Sequence, residues 1–262
     1  MFRAMTQPES RARARETDFG FRRVAESEHA GLVGRVFDSV ATRYDLMNDL
    51  MSGGLHRLWK AALIDRLRPR PGMRLADLAG GTGDVAFRFF DRLGEDPGGA
   101  EAVIVDRNPS MLAVAQDRAV DRGLLRGLAL VCADAAALPL PSGSFDGCTI
   151  AFGLRNVTRR RDALAEARRI LSPGGHFLCL EFSPGVLPLL RPLYDLYSFR
   201  VLPALGQAVA GDAESYRYLA ESIRRFPDQE TLADEMRDAG FGNVTWRNLS
   251  PGIVALHSGW RV

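Results

Sequence analysis

The chain has 262 residues, of which 46% are hydrophobic and 25% charged. Those values belong to a globular protein and exclude a largely disordered or fibrous one; a single compact body of this size buries roughly 70–75% of its unfolded surface. Lys60 is the one lysine among 34 basic residues, and 32 acidic residues leave a net charge of +2, so no global field draws the chain to nucleic acid.

Cys132, Cys148 and Cys179 stand singly in apolar runs. An odd, scattered set argues for buried thiols in a reducing compartment, most simply the cytosol, and against a disulfide framework. No uncharged apolar run reaches the roughly 18 residues of a membrane span. Residues 1–27 are polar and read as a mobile tail. Helices are expected over 31–67, where Val33, Val36, Phe37 and Val40 recur at spacings of three and four. Apolar β-like runs follow at 73–78, 101–106, 128–132, 145–152 and 176–182, with amphipathic stretches at 84–93, 109–122 and 159–171 between most of them. Strands apolar on both faces, alternating with helices, predict an α/β fold with a parallel sheet covered on both sides. Asn108 and Pro109 form a helix start, and Ser172-Pro173-Gly174-Gly175 a stop. Residues 186–207 are apolar but interrupted by charges and prolines; a helix over 228–240 and a hairpin-like pair, 243–248 and 252–257, close the chain.

The chemistry is concentrated at Asp77-Leu-Ala-Gly-Gly81-Thr82-Gly83-Asp84, between a strand and a helix. Glycines there permit a sharp turn and close approach of a ligand. Gly81 to Ala86 fits the G-x-G-x-x-A pattern, and Asp106 ends the next strand, where a carboxylate grips ribose hydroxyls. The local signal is a nucleoside-bearing cofactor, either a nicotinamide dinucleotide or S-adenosylmethionine. Asp77, Asp84, Asp106 and Asp134 all fall at or just after strand C-termini, so they are expected to converge on one crevice. That group would repel a pyrophosphate and attract a sulfonium, an effect on the order of 1–4 kcal/mol. Asp134 and Ala135 after the third strand suit an adenine contact; a capping or turn role for Asp134 is the alternative.

The motif from Asp77 to Gly83 resembles the first motif of class I S-adenosylmethionine-dependent methyltransferases. More specific are VFDSVATRYDLMNDLMSGGLHRLWK from Val36 to Lys60, FGLRNVT from Phe152 to Thr158, LSPGG from Leu171, YDLYSF from Tyr194, and DAESYRYLAESI from Asp212. Over roughly residues 20–262 these resemble the ubiquinone/menaquinone biosynthesis C-methyltransferases. The resemblance implies a Rossmann-like, seven-stranded, mostly parallel sheet with an antiparallel last strand. It divides residues 28–262 into a helical opening segment (28–67), a cofactor-binding core (68–183), a helical lid insertion (184–226) and a C-terminal helix and hairpin (227–262).

S-adenosyl-L-methionine is the implied cofactor, with contacts carried over to Thr82, Asp106, Asp134, Ala135 and position 151. Relatives often have Ser at that last position; Ala151 retains only a backbone contact. The implied reaction methylates a ring carbon of a polyprenylated benzoquinol, or of demethylmenaquinol, without a metal, and the four histidines show no ligand spacing. Ionising a phenol of pKa about 10 near neutrality takes roughly 4 kcal/mol. Arg155 is the expected oxyanion stabiliser, its competing assignment being a structural ion pair. Asn156 is expected to hold a ring oxygen, Tyr44 to close over the sulfonium and Asp45 to accept the proton, with helix-end packing as the alternative for the last two. His56 reads as structural rather than a proton shuttle.

Leu187, Leu190, Tyr194, Tyr197 and Val201 share a helical stripe, with Arg191 and Asp195 on another face. Those apolar residues are expected to wall the prenyl tail and touch the membrane surface transiently; core packing accounts for the same periodicity. Other enzymes of quinone biosynthesis are candidate partners, and nucleic acid is not. A nicotinamide-dependent oxidoreductase and a non-catalytic cofactor-binding scaffold remain as alternatives.

Overall fold

The computed structural model describes residues 16–41, 44–94, 97–124, 126–184, 195–210, 212–250 and 252–262. A hairpin of β1 (Glu16–Phe19) and β2 (Arg22–Ala25) leads into α1 (Glu26–Val40), α2 (Tyr44–Ser52) and α3 (His56–Leu67). The alternating core follows: β3 (Arg74–Leu78), α4 (Asp84–Leu93), β4 (Glu101–Asp106), α5 (Pro109–Asp121), β5 (Leu128–Cys132), β6 (Phe145–Ala151), α6 (Arg160–Ile170) and β7 (Leu171–Phe182). A π-helical turn at Tyr197–Val201, α7 (Leu202–Ala210), α8 (Ala213–Arg225) and α9 (Gln229–Asp238) precede β8 (Gly242–Leu249) and β9 (Val254–Trp260).

Seven strands form one sheet in the order β5-β4-β3-β6-β7-β9-β8. Neighbours from β5 to β7 are parallel, and β9 runs antiparallel to both β7 and β8. The period-two alternation of a strand separates two cores. Leu75, Ile104, Leu178 and Leu180 pack with Leu63 of α3 and Phe89 of α4, while Ala76, Val105, Phe177 and Cys179 pack with Leu164 of α6 and Met236 of α9. Between β3 and β6 the strand order reverses, so a crevice opens outside their C-terminal ends.

Three local expectations are corrected. Within the segment read as a tail, residues 16–27 form the β1–β2 hairpin and the start of α1. Phe19 is buried there, stacked 4.2 Å from Tyr218, and the Phe21 backbone N–H donates to Glu221; a distant helix orders residues whose own pattern is polar. The helix α6 does stop, at Ile170, but Ser172–Gly175 belongs to β7 instead of preceding it, and the register with β6 slips there between Phe145 and Gly147. Cys148 and Cys179 are buried, but Cys132 is exposed, because β5 is an edge strand.

The Asn108 start is present: its Oδ1 accepts from the N–H groups of Ser110 and Met111. In the proposed lid, Leu187, Leu190, Arg191 and Tyr194 lie outside the described residues. Tyr197 donates its hydroxyl to the Leu50 carbonyl, and Asp195 pairs with Arg224.

Candidate active site

The crevice at the strand reversal is an open cleft. Its floor is the glycine loop and the ends of β4, β5 and β6, represented by Gly81, Asp106, Asp134 and Gly153. Val33, Gly34, Phe37 and Asp38 of α1 form a wall. Hydrogen bonds hold α1 there: His29 Nδ1 to Thr158 Oγ1 at 2.8 Å, and Asn108 Nδ2 donating to Asp38 Oδ1 at 2.9 Å and to the Gly34 carbonyl at 3.4 Å. Ala79 and Phe152, the residues that follow β3 and β6, both take positive φ, 48° and 58°. Such backbone is costly for a side-chain-bearing residue and persists where the surroundings over-determine it.

Asp106 organises the floor. Its Oδ2 accepts from the Gly81 N–H at 2.9 Å and its Oδ1 from the Asn108 N–H at 2.8 Å. Burial raises its pKa, opposed by backbone hydrogen bonds from Asn108, Gly81 and Arg107. Both oxygens keep acceptor capacity toward the cleft. Asp134 accepts from the Ala136 N–H at 2.9 Å and pairs with Arg107 at 3.3 Å, with Ala135 beside it in the wall.

Asp77 lies beneath the loop, 0% exposed. Thr149 donates to its Oδ1 at 2.7 Å, and Oδ2 has no partner among the described residues. A Cβ on Gly80 would stand 2.8 Å from that orphaned oxygen, so glycine is required for the loop to lie this close to the acid. Gly83, at φ +85°, is a packing glycine: its Cβ would meet the Phe87 ring at 2.8 Å.

Burial pushes the Asp77 carboxyl up to about 7, against the Thr149 hydrogen bond and Lys60. The folded protein therefore holds this proton to about pH 7, whereas the unfolded chain releases it near 3.8. Folding stability then falls as pH rises through that window. Between pH 5 and pH 7 the wild type is expected to lose about 2 kcal/mol relative to Asp77→Asn, measured by urea denaturation. A constant difference between the two proteins would show that Asp77 does not titrate in this range.

The four acids do not converge as expected. Asp84 turns away to Lys60 Nζ and Arg88 Nε, each at 2.8 Å. Burial opposes its ionisation, but these two cations override that and hold it down at about 2. The sole lysine is thus a buried counter-ion. Thr82 is 1% exposed, its hydroxyl accepting from Arg118 at 3.0 Å, and it is not among the residues lining the cleft. Ala151 is also absent from the lining; Phe152 and Gly153 stand there instead.

Arg155 is the largest correction. Its side chain is 4% exposed and its partner Glu181 1%. Arg155 Nη1 donates to Glu181 Oε1 at 2.5 Å and to the Phe152 carbonyl at 2.6 Å, while its backbone N–H donates to Glu181 Oε2 at 3.3 Å. The guanidinium also lies over the Phe182 ring. It is a buried ion pair behind the cleft, the competing assignment of the sequence.

Asn156, next in the chain, does line the cleft, with Oδ1 accepting from the Tyr218 hydroxyl at 3.1 Å. Tyr44 and Asp45 open α2, but their side chains lie outside the described residues. His56 is buried against Asp49 at 2.9 Å, in a structural setting. Sequence reasoning missed the α1 wall and Met111 and Thr158 of the lining. The periodicity of α1 shows an apolar face without showing what it faces.

The lining suits S-adenosylmethionine: among its described residues, Asp38, Asp106 and Asp134 outnumber the one cation, Arg107. Of the residues expected to contact it, Gly81, Asp106, Asp134 and Ala135 line the cleft.

Comparison with known proteins agrees. The ubiquinone/menaquinone biosynthesis C-methyltransferase UbiE of Paracoccus denitrificans is 58% identical, over 95% of this chain and 98% of its own length. The mitochondrial 2-methoxy-6-polyprenyl-1,4-benzoquinol methylase of Mus musculus is 48% identical, over 95% and 86%. In fold, the chain is similar to a possible histamine N-methyltransferase of Thermotoga maritima, with TM-score 0.61, 20% identity, and coverage of 87% and 99%. The ubiE/COQ5 methyltransferase family model matches residues 23–261, which removes the oxidoreductase alternative, and the chain belongs to that family.

Proposed function

We propose that this S-adenosylmethionine-dependent methyltransferase methylates a ring carbon of a polyprenylated quinol, either the benzoquinol of ubiquinone biosynthesis or demethylmenaquinol, or both. The observation carrying this reading is one cleft that joins the acidic nucleoside-binding floor to the Asn156 amide and to an apolar wall of Val33, Phe37, Phe152 and Val157. Bound, the cofactor supplies an electrophilic methyl group on a sulfonium. The reaction forms a ring C–CH₃ bond, breaks S–CH₃ and releases one ring proton. Asp106 and the glycine loop orient the nucleoside, α1 excludes water, and the Asn156 amide holds the ring oxygen whose ionisation makes the adjacent carbon nucleophilic. Tyr44 closes over the cofactor and Asp45 accepts the proton, both starting the helix that follows the α1 wall.

Among the described residues no helix is long and apolar enough to cross a membrane. Leu46 of α2, and Leu196 and Val201 flanking or within the π-helical turn, are exposed, and Tyr197 ties the two elements together. These apolar side chains support transient contact with the membrane surface from which a prenylated quinol is taken. Other quinone-biosynthesis enzymes are candidate partners there.

The test uses the purified chain, methyl-labelled cofactor, and either quinol dissolved in liposomes. Label is expected in the quinol ring, and the protein is expected to sediment with the vesicles. Cofactor binding without turnover on either quinol would instead favour a scaffold subunit.

A further inference from the structure

We propose that Tyr218 is a positioning residue: its hydroxyl fixes the Asn156 side-chain amide so that the N–H donors, rather than the carbonyl, face the reacting ring oxygen. The inference rests on the quinol-methylating reading above.

Tyr218 lies on α8, far from the cofactor loop in sequence, and is 4% exposed. Its ring is clamped against Phe19 of the β1–β2 hairpin at 4.2 Å, nearly parallel, and Phe19 is itself edge-on to His29 at the base of α1. Burial raises the phenol pKa, with Arg155 opposing and Glu181 reinforcing the shift. The phenol therefore remains a donor throughout the working pH range. Its recorded acceptor is Asn156 Oδ1 at 3.1 Å. An asparagine amide has an acceptor on one arm and two donors on the other. With the acceptor arm held by a tyrosine hydroxyl, the donor arm is directed elsewhere, and Asn156 lines the cleft. Among the described residues, Nδ2 donates to no recorded acceptor.

The backbone beneath is equally constrained. The short 3₁₀ turn Leu154–Asn156 is closed by the Asn156 N–H donating to the Gly153 carbonyl at 3.0 Å, and is anchored by the Arg155–Glu181 pair. The amide is thus locked from the backbone side and from the side-chain side. A fixed donor aimed at developing negative charge stabilises a transition state more than a freely rotating one. A reversed amide would present its carbonyl to an oxyanion and repel it. Tyr218 acts through Asn156 and need not touch substrate.

The experiment is a kinetic double-mutant cycle with Tyr218→Phe and Asn156→Ala, assayed with methyl-labelled cofactor and the accepted quinol. Tyr218→Phe keeps the ring that packs on Phe19 and removes only the hydroxyl. It is expected to lower kcat about 10-fold, leaving the affinity for S-adenosylhomocysteine within about twofold. The acidic limb of the kcat profile is expected to move to higher pH, because ionisation of the ring hydroxyl loses support. In the Asn156→Ala background, Tyr218→Phe is expected to cost less than about twofold more.

A single variant within twofold of wild type would overturn the proposal. So would a full 10-fold further loss in the Asn156→Ala background, which would mean that the hydroxyl acts independently of the amide. Thermal unfolding of each variant separates a packing defect from this effect, since a packing defect lowers stability and leaves the pH profile in place. Absence of turnover by the wild type would instead overturn the reaction on which the inference rests.

Discussion

Replacing Arg155 by alanine is expected to lower folding stability by about 3–5 kcal/mol. The cost comes from the partner left behind. Glu181 is 1% exposed on the interior strand β7, and without the guanidinium its carboxylate is a buried, uncompensated charge. A second loss accompanies the first. Arg155 Nη1 also holds the carbonyl of Phe152, whose positive φ marks the turn out of β6. Releasing that carbonyl leaves a strained residue with fewer restraints. Urea denaturation should show a lower midpoint with an unchanged slope, the signature of lost stability rather than of altered compactness. The result separates two roles for this arginine. A residue acting on the substrate oxygen would leave stability nearly unchanged and lower kcat. Stability within about 1 kcal/mol of wild type, together with a large loss of kcat, would return Arg155 to the reacting atoms.

Asp106→Ala is expected to weaken cofactor binding at least about 100-fold, equivalent to roughly 2.7 kcal/mol. One carboxylate joins three parts of the site. It accepts from Gly81 in the loop and from Asn108 at the start of α5, and it lines the cleft. Hydrogen bonds to a charged acceptor contribute about 1.5–3 kcal/mol each, and the two backbone donors lose theirs together. Asn108 in turn binds Asp38 of the α1 wall, so the disturbance reaches the opposite side of the cleft. Asp106→Asn keeps one carbonyl acceptor and is expected to fall between the wild type and alanine, near 10-fold. Calorimetric titration with S-adenosylhomocysteine measures both variants. Unchanged affinity in Asp106→Ala would remove Asp106 from the cofactor site and leave it as a loop tether.

The α/β architecture was legible because it is written in local periodicity. Runs such as EAVIVD and HFLCLEF place apolar side chains on both faces of a strand, and the helices between them carry their own start signals, Asn108-Pro109 being the clearest. The glycine loop and Asp106 were legible for a similar reason: tight backbone and a carboxylate at a strand end are local requirements of a nucleoside crevice. Direction in space is not local. Asp77, Asp84, Asp106 and Asp134 look alike in one dimension. Yet Asp84 answers to Lys60 and Arg88, Asp77 is sealed beneath the loop, and Asp106 and Asp134 reach the cleft. Arg155 and Asn156 are neighbours in the chain, and a single turn of backbone sends one to the buried Glu181 of β7 and the other to the cleft. The β1–β2 hairpin was invisible because its order comes from Tyr218 and Glu221, about two hundred residues away.

By itself, then, the sequence determined a doubly covered sheet, a nucleoside-binding loop at its strand ends, and the family to which those motifs belong. Only the tertiary structure decided which acids line the cleft, that α1 forms one of its walls, and that Arg155 pairs with Glu181 while Asn156 accepts from Tyr218. Period and spacing determine which elements form, whereas the low dielectric of the packed interior determines which polar groups must find one another.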